Sequence, residues 1–168
     1  MSIAEDTIAI QQLAARYALA GDSRDVDLMV SLFVDDVRVG KGLTGKAAFH
    51  EFWSKRWATF GRSMHYISNH VVDLGTDGDP DKATGGVYCC ELQESSADGS
   101  WSVYCFRYFD QYKRTSQGWR FVRREPIVWF RSDGLKIAET PGAQWSGLPG
   151  AFPTWAPFWA AAKSAQTS

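Results

Sequence analysis

The chain has 168 residues, 45 % of them hydrophobic, and a formal net charge of −1. That length predicts one domain able to bury a real core, and the balanced charge excludes a nucleic-acid footprint, because Arg123 and Arg124 form an isolated basic pair. No apolar run reaches the roughly 20 residues needed to cross a bilayer, and "MSIAEDTIAIQQ" lacks a signal peptide's basic head, so a soluble, cytoplasmic protein with no membrane partner is expected.

Ser2 and Glu5 have the form of a capping box. Behind them Ile10, Leu13, Ala14, Tyr17 and Gly21 recur at helical spacing, which predicts a first helix over about residues 3–20, with Gly21 as terminator. Leu28, Met29, Leu32 and Phe33 mark a short second helix. "DDVRVG" alternates like a strand, and Thr44 is placed to cap a third helix carrying Phe49, Phe52, Trp53, Trp57 and Phe60 on one face. Strands follow: "MHYISNHVVDL", then "KATGGVYCCELQES" and "SWSVYCFRYFDQYKRT" around the hairpin signal "SADG", then "WRFVRREPIVWF" after "SQG". Pro126 inside the last run requires an edge position or a bulge. Three helices before a meander of long antiparallel strands predict an α+β domain with helices on one sheet face.

The tail from Thr140 onwards holds four of the six prolines and three tryptophans, Trp145, Trp155 and Trp159. It reads as an irregular segment that packs on a cavity mouth or on a partner subunit. Eight Trp, six Tyr and ten Phe exceed what a small core needs and point to an aromatic-lined cavity or interface. Cys89 and Cys90 are adjacent strand residues and face opposite sides, so with Cys105 they read as free thiols rather than metal ligands.

On alternation, His65, Ile67, Asn69 and Val71 share one strand face, and Tyr66, Ser68 and His70 share the other. Asp22, expected just past the first helix, can reach His65. A carboxylate accepting one imidazole N–H fixes the tautomer and leaves the other nitrogen as a base. Tyr17, five residues earlier on the inward helix face, can add its hydroxyl. The bland alternatives are that Asp22 caps the second helix and that Tyr17 and His65 are core. Tyr104, Phe106 and Tyr108 share a face and either line a pocket or fill the core. Arg107 is expected on the opposite face, His50 in solvent, His70 at an interface, and Glu91 either inward or at the strand's wet end.

The order of elements, together with "YALAGDSRDVDLMVSLFVDDV", "MHYISN" and "FRYFDQYKRTSQGWRFVRRE", resembles the SnoaL-like branch of the nuclear transport factor 2-like superfamily over roughly residues 5–131. The resemblance implies a cone-shaped α+β barrel, a curved antiparallel sheet wrapped around the N-terminal helices with a deep apolar pocket. It divides the chain into a domain over 1–139 and the Pro/Trp-rich tail over 140–168, and implies a homodimer or homotrimer. Scytalone dehydratase, hexachlorocyclohexane dehydrochlorinase and a bile-acid dehydratase of this superfamily eliminate through an Asp–His pair, matched here by Asp22 and His65, with Tyr17 matching the bile-acid enzyme's tyrosine. Two of these enzymes carry an arginine in the last strand, where Ile127 or Trp129 stands here. Scytalone dehydratase has a second histidine on the next strand, where this chain has "VYCCELQ". The implied function is a cofactor-independent, metal-free lyase for a hydrophobic, ring-bearing small molecule, expelling water or formaldehyde. Catalysis falls to His65, Asp22 and Tyr17, and substrate binding to Asn69, Tyr104, Phe106, Tyr108, Ile127 and Trp129. The alternatives are an isomerase or cyclase of ketosteroid or polyketide type, or a non-catalytic small subunit of an aromatic-ring dioxygenase.

Overall fold

A computed structural model describes residues 2–40, 42–135 and 153–166. Helix α1 (Ile3–Ser23) opens with the expected box: Ser2 Oγ accepts from the Glu5 amide at 3.3 Å, and the Glu5 carboxylate accepts from the Ser2 amide at 2.7 Å. The helix runs through Gly21 and ends one turn later than the sequence suggests, at Arg24, which takes the left-handed cap (φ 59°). Asp22 therefore lies in the last turn of α1 and not beyond it. Gly21 has a different use from termination: a Cβ there would sit 3.3 Å from His65 Cε1. Its missing side chain is what lets the imidazole lie against the helix.

Helix α2 (Val26–Ser31) is capped by Asp25, whose carboxylate accepts from the Leu28 amide at 2.8 Å. A small ribbon of β1 (Arg38–Gly40) and β2 (Leu43–Thr44) leads into α3 (Lys46–Trp57). Thr44 ends β2 instead of capping α3, whose N-cap is Gly45 without a side-chain bond. Strands β3 (Phe60–Leu74), β4 (Lys82–Ser95), β5 (Trp101–Thr115) and β6 (Gly118–Leu135) form one antiparallel meander in sequence order. The sheet is open, with β3 and β6 as edges, so the cone is not a closed barrel. Pro126 lies on edge strand β6, where a missing N–H is tolerated.

Helix α1 packs across the concave face. Ile10, Leu13 and Ala14 pack with Phe33, Phe49, Trp57, Val87 and Phe121 in a core rich in aromatic rings. Register shifts at Phe60/Ser63 and Ser68/His70, and on β5–β6 at Cys105/Phe106 and Gln111/Tyr112, bend the long strands. Bulges of this kind increase twist and re-aim the side chains beyond them. Cys89 faces inward and is buried, while Cys90 and Cys105 meet on the outer face with Sγ atoms 3.6 Å apart.

The C-terminal segment is helical where it is described: α4 spans Trp155–Gln166, a correction to the irregular tail expected. Pro157 is tolerated because it falls in the first turn, where backbone N–H groups have no helical acceptor. Trp155 lies against the Arg24 guanidinium at 5.5 Å, Phe158 meets Trp57 at 6.2 Å, and Thr154 donates to the Ser23 carbonyl at 3.0 Å. Trp155 and Trp159 are half-buried, and Trp145 lies outside the described residues.

Candidate active site

The end of α1 and the start of β3 meet through one carboxylate. Asp22 Oδ1 accepts from His65 Nδ1 at 2.6 Å and from the Ser63 hydroxyl at 3.1 Å, and Oδ2 accepts from the His65 backbone amide at 3.0 Å. The same aspartate thus grips both the ring and the backbone of His65. With Nδ1–H committed to Asp22, the Nε2 lone pair is left facing the interior of the sheet. The imidazole is 9 % exposed and the Asp22 side chain 16 %. Burial disfavours a charged His65 ring, but the Asp22 hydrogen bond and the Glu91 and Asp22 charges outweigh it and hold its pKa above the ordinary 6.5.

Behind Asp22 stands Arg24, buried and oriented by its left-handed backbone. Its guanidinium donates to the Gly21 and Gly61 carbonyls and, at 2.9 Å, to Ser63 Oγ, the same hydroxyl that donates to Asp22. Burial pulls the Arg24 pKa down to about 10. Rings of Phe60, Trp155 and Trp57 surround it at 4.9, 5.5 and 5.8 Å.

In front of His65 opens a cavity of about 870 Å³, lined by Tyr17, His65, Glu91, Tyr104, Phe106, Tyr108 and Arg124 among others. That volume suits a ring-bearing small molecule. Burial pushes the Tyr17 and Tyr108 phenols well above the ordinary tyrosine value, so both remain hydrogen-bond donors at any physiological pH. Arg124 lies over the rings of Tyr108, Tyr17 and Phe121 at 4.0, 4.4 and 4.5 Å and is paired with buried Asp110 through two bonds of 3.0 and 2.8 Å. Its Nη1 is buried without a protein acceptor. Among the described residues no group of three or more His, Cys, Asp or Glu side chains is placed to hold a metal ion.

The structure therefore brings His65, Asp22, Tyr17, Tyr104, Phe106 and Tyr108 to one region. It does not bring Asn69, Ile127 or Trp129 there. Asn69 adopts a left-handed conformation (φ 42°) at the β3 bulge and is exposed. The bulge reverses the alternation, so His70, expected outside, turns inward and its Nε2 meets the Tyr112 hydroxyl at 3.1 Å. Ile127 pairs with Arg107 on the outer face and is 47 % exposed. Trp129 sits in the second β6 bulge, 58 % exposed, with its ring edge-on to Tyr88 at 5.2 Å. The first β6 bulge, at Val122, moves the inward face from Trp119 and Phe121 to Arg124, Pro126 and Val128. The last strand thus does present an arginine to the cavity, Arg124, which strict alternation could not locate.

Sequence reasoning also passed over Arg24 and Ser63 and left Glu91 open. Glu91 had a readable signal: it continues the inward series Val87, Cys89, where a charge is out of pattern. Arg24 had none, because its role depends on a cap geometry. Arg107 does face outward, its guanidinium between Phe109 at 4.6 Å and Tyr88 at 5.6 Å. His50 is half-exposed on α3 beside Asp27.

The sequence profile of the SnoaL-like domain family matches residues 2–125. An uncharacterised protein of Mycobacterium tuberculosis is 30 % identical over 132 residues, 74 % of this chain and 87 % of that protein. Among solved structures, a provisionally named aromatic ring hydroxylase from Novosphingobium aromaticivorans superposes with a TM-score of 0.67 at 28 % identity, covering 79 % of this chain and 96 % of that one. A type 3 hexachlorocyclohexane dehydrochlorinase from Novosphingobium barchaimii superposes with a TM-score of 0.68 at 18 % identity, covering 79 % and 94 %. At that identity the second likeness concerns the fold alone.

Proposed function

The chain belongs to the SnoaL-like domain family, and from that premise we propose that it is a cofactor-independent lyase acting on a hydrophobic, ring-bearing small molecule. The observation that carries this reading is Asp22's double grip on His65, which commits Nδ1–H and leaves Nε2 as a base at the head of an aromatic cavity. His65 takes a proton from a carbon next to a carbonyl, and the electron pair moves onto the carbonyl oxygen. The Tyr17 hydroxyl and the uncommitted Nη1 of Arg124 are donors suited to that oxygen, and donors held in a water-poor site stabilise developing charge better than water does. Collapse of the enolate then breaks the C–O bond at the neighbouring carbon, and the departing hydroxide takes a proton, balancing the one now held on His65, to leave as water. In a diaryl substrate carrying a hydroxymethyl group and a hydroxyl on the adjacent carbon, His65 deprotonates the hydroxymethyl oxygen instead: the O–H pair becomes the C=O of formaldehyde, the C–C pair becomes the new double bond, and the adjacent hydroxyl leaves with a proton as water.

The test is turnover of ring-bearing β-hydroxy ketones and of hydroxymethyl-bearing diaryl compounds by the purified protein, followed by mass spectrometry and formaldehyde assay. Loss of water or formaldehyde that disappears in His65→Ala supports the reading. A protein inert to both panels, or a His65→Ala variant as active as the parent, removes it. Rearranged product of unchanged mass would assign the same base to isomerisation.

A further inference from the structure

Among the described residues, Glu91 is the one carboxylate that faces the proposed base from across the sheet. It is paired in register with His65 on β4, and its Oε1 lies 3.7 Å from His65 Nε2, on the side of the imidazole opposite Asp22. That distance is beyond a hydrogen bond but inside ion-pair reach. Its side chain is 16 % exposed, and it lines the same cavity as Tyr17 and His65.

The same strand carries a second carboxylate in a different setting. Glu94, three residues on, is gripped by Arg62 through its backbone amide at 2.9 Å and its guanidinium at 2.8 and 2.6 Å. That partner holds the Glu94 carboxyl below its ordinary range. Among the described residues Glu91 has only His65 as an ion-pair partner. Burial consequently raises its pKa, a tendency that Asp22 reinforces and that His65, Arg24 and Arg56 oppose. Tyr17, Tyr108 and Cys89 also face its charge, their protons held more tightly by burial, as does Cys90 on the neighbouring position, and Tyr104 pairs with it in register from β5. One proton held by the His65–Glu91 pair sits on either partner, and when it sits on Glu91 a neutral base stands beside an acid, an arrangement that a carboxylate clamped by arginine does not reach.

Resting on the lyase reading, we propose that Glu91 is the acid of this site, delivering its proton to the departing hydroxyl while His65 removes the carbon proton. The step balances. The C–H electrons become the new double bond by way of the enolate, and the C–O electrons leave on oxygen. That oxygen takes the Glu91 proton to become water. His65 is left as imidazolium facing a Glu91 carboxylate, and transfer of the proton from Nε2 to Oε1 restores both groups for the next cycle. No co-reactant is needed. The substrate class narrows to ring-bearing β-hydroxy carbonyl compounds, whose poor leaving group requires an acid and whose α-proton requires a base.

The experiment uses the full chain with Glu91→Gln, which keeps shape and removes the acid, and two probes. Deuterium exchange at the α-carbon of dihydrochalcone in heavy water reports His65 alone, because that ketone has no leaving group. Conversion of β-hydroxydihydrochalcone to chalcone reports the base and the acid together. In Glu91→Gln, exchange is expected to stay within about threefold of the parent while chalcone formation falls on the order of 10²-fold. By NMR of the ligand-free protein, the His65 midpoint is expected to fall by about one pH unit, since the carboxylate that faces the imidazolium when the pair's proton sits on His65 has gone. Glu91→Asp, which retains an acid, should recover part of the elimination. Exchange and elimination falling together, or neither falling, or an unmoved His65 midpoint overturns the acid role. A parent protein inert to both probes instead overturns the lyase reading on which that role rests, and the NMR midpoint still judges the pairing.

Discussion

The two ends of α1 are each fastened to the sheet by an aspartate, and the two fastenings differ in kind. At the first turn Asp6 accepts from Arg114 at 2.7 and 2.6 Å and from the Trp119 indole at 2.9 Å. Arg114 and Trp119 together hold the Asp6 pKa at about 2. Both partners are permanent donors, so nothing there changes state near neutral pH. At the last turn Asp22 makes three bonds as well, but one donor is an imidazole whose second nitrogen faces a cavity and a buried acid. A carboxylate closed by arginine and tryptophan is a staple. A carboxylate closed by histidine can pass its influence on to a substrate.

Substitutions at the two aspartates and their partners should separate the two roles. The largest effect is expected from His65→Ala, which should remove turnover of β-hydroxydihydrochalcone entirely while the melting curve remains cooperative. Asp22→Asn keeps the shape but offers an N–H where a carboxylate accepted one, and should cost on the order of 10²–10⁴ in kcat/KM. Asp6→Asn should do the reverse. Chemical denaturation should show a loss of about 2–3 kcal/mol, the scale for hydrogen bonds to a charged group, with kcat/KM in the folded protein unchanged. If Asp6→Asn slows catalysis as much as Asp22→Asn does, the division between staple and site is wrong.

Gly21→Ala should act on the His65 end alone, with a smaller effect. Alanine in place of glycine favours a helix by about 1 kcal/mol, yet the added Cβ stands 3.3 Å from His65 Cε1, so the ring must shift. An unchanged or higher melting temperature with roughly tenfold slower turnover is expected, since small displacements of a positioned group are costly in rate. The smallest signals are in pH. Asp6 has a depressed folded pKa, so its stabilisation is complete above the ordinary 3.8 and is lost as pH falls towards about 2, a dependence that Asp6→Asn should remove from acid titrations. His65 has a raised folded pKa, so its stabilisation is complete below 6.5 and is lost as pH rises through the folded value. With His65 as the proposed base and Glu91 as the proposed acid, kcat/KM should be bell-shaped in pH, rising as the imidazolium is lost and falling as Glu91 gives up its proton, and Glu91→Gln should remove the falling limb.

Much of this molecule could be read along the chain. The capping box, the inward stripe Ile10, Leu13, Ala14 and Tyr17 and the four long strands follow from local periodicity and from which residue types stop helices and turn hairpins, while the pairing of Asp22 with His65 is what the resemblance to SnoaL-like lyases implies. Those signals are local because helix and strand repeats are set by backbone geometry within a few residues. What the chain order could not decide was which face a residue shows beyond a bulge, because one extra residue inverts every side chain after it and is selected by curvature against the helices. Asn69 and Val122 are such points: they send His70 inward, Ile127 outward and Arg124 into the cavity. Tertiary structure alone likewise set Arg24 behind Asp22 and Glu91 before His65, since each contact joins strands or helix ends brought together only by the sheet's register. The sequence made a histidine and an aspartate available, and the folded sheet decided what faces them.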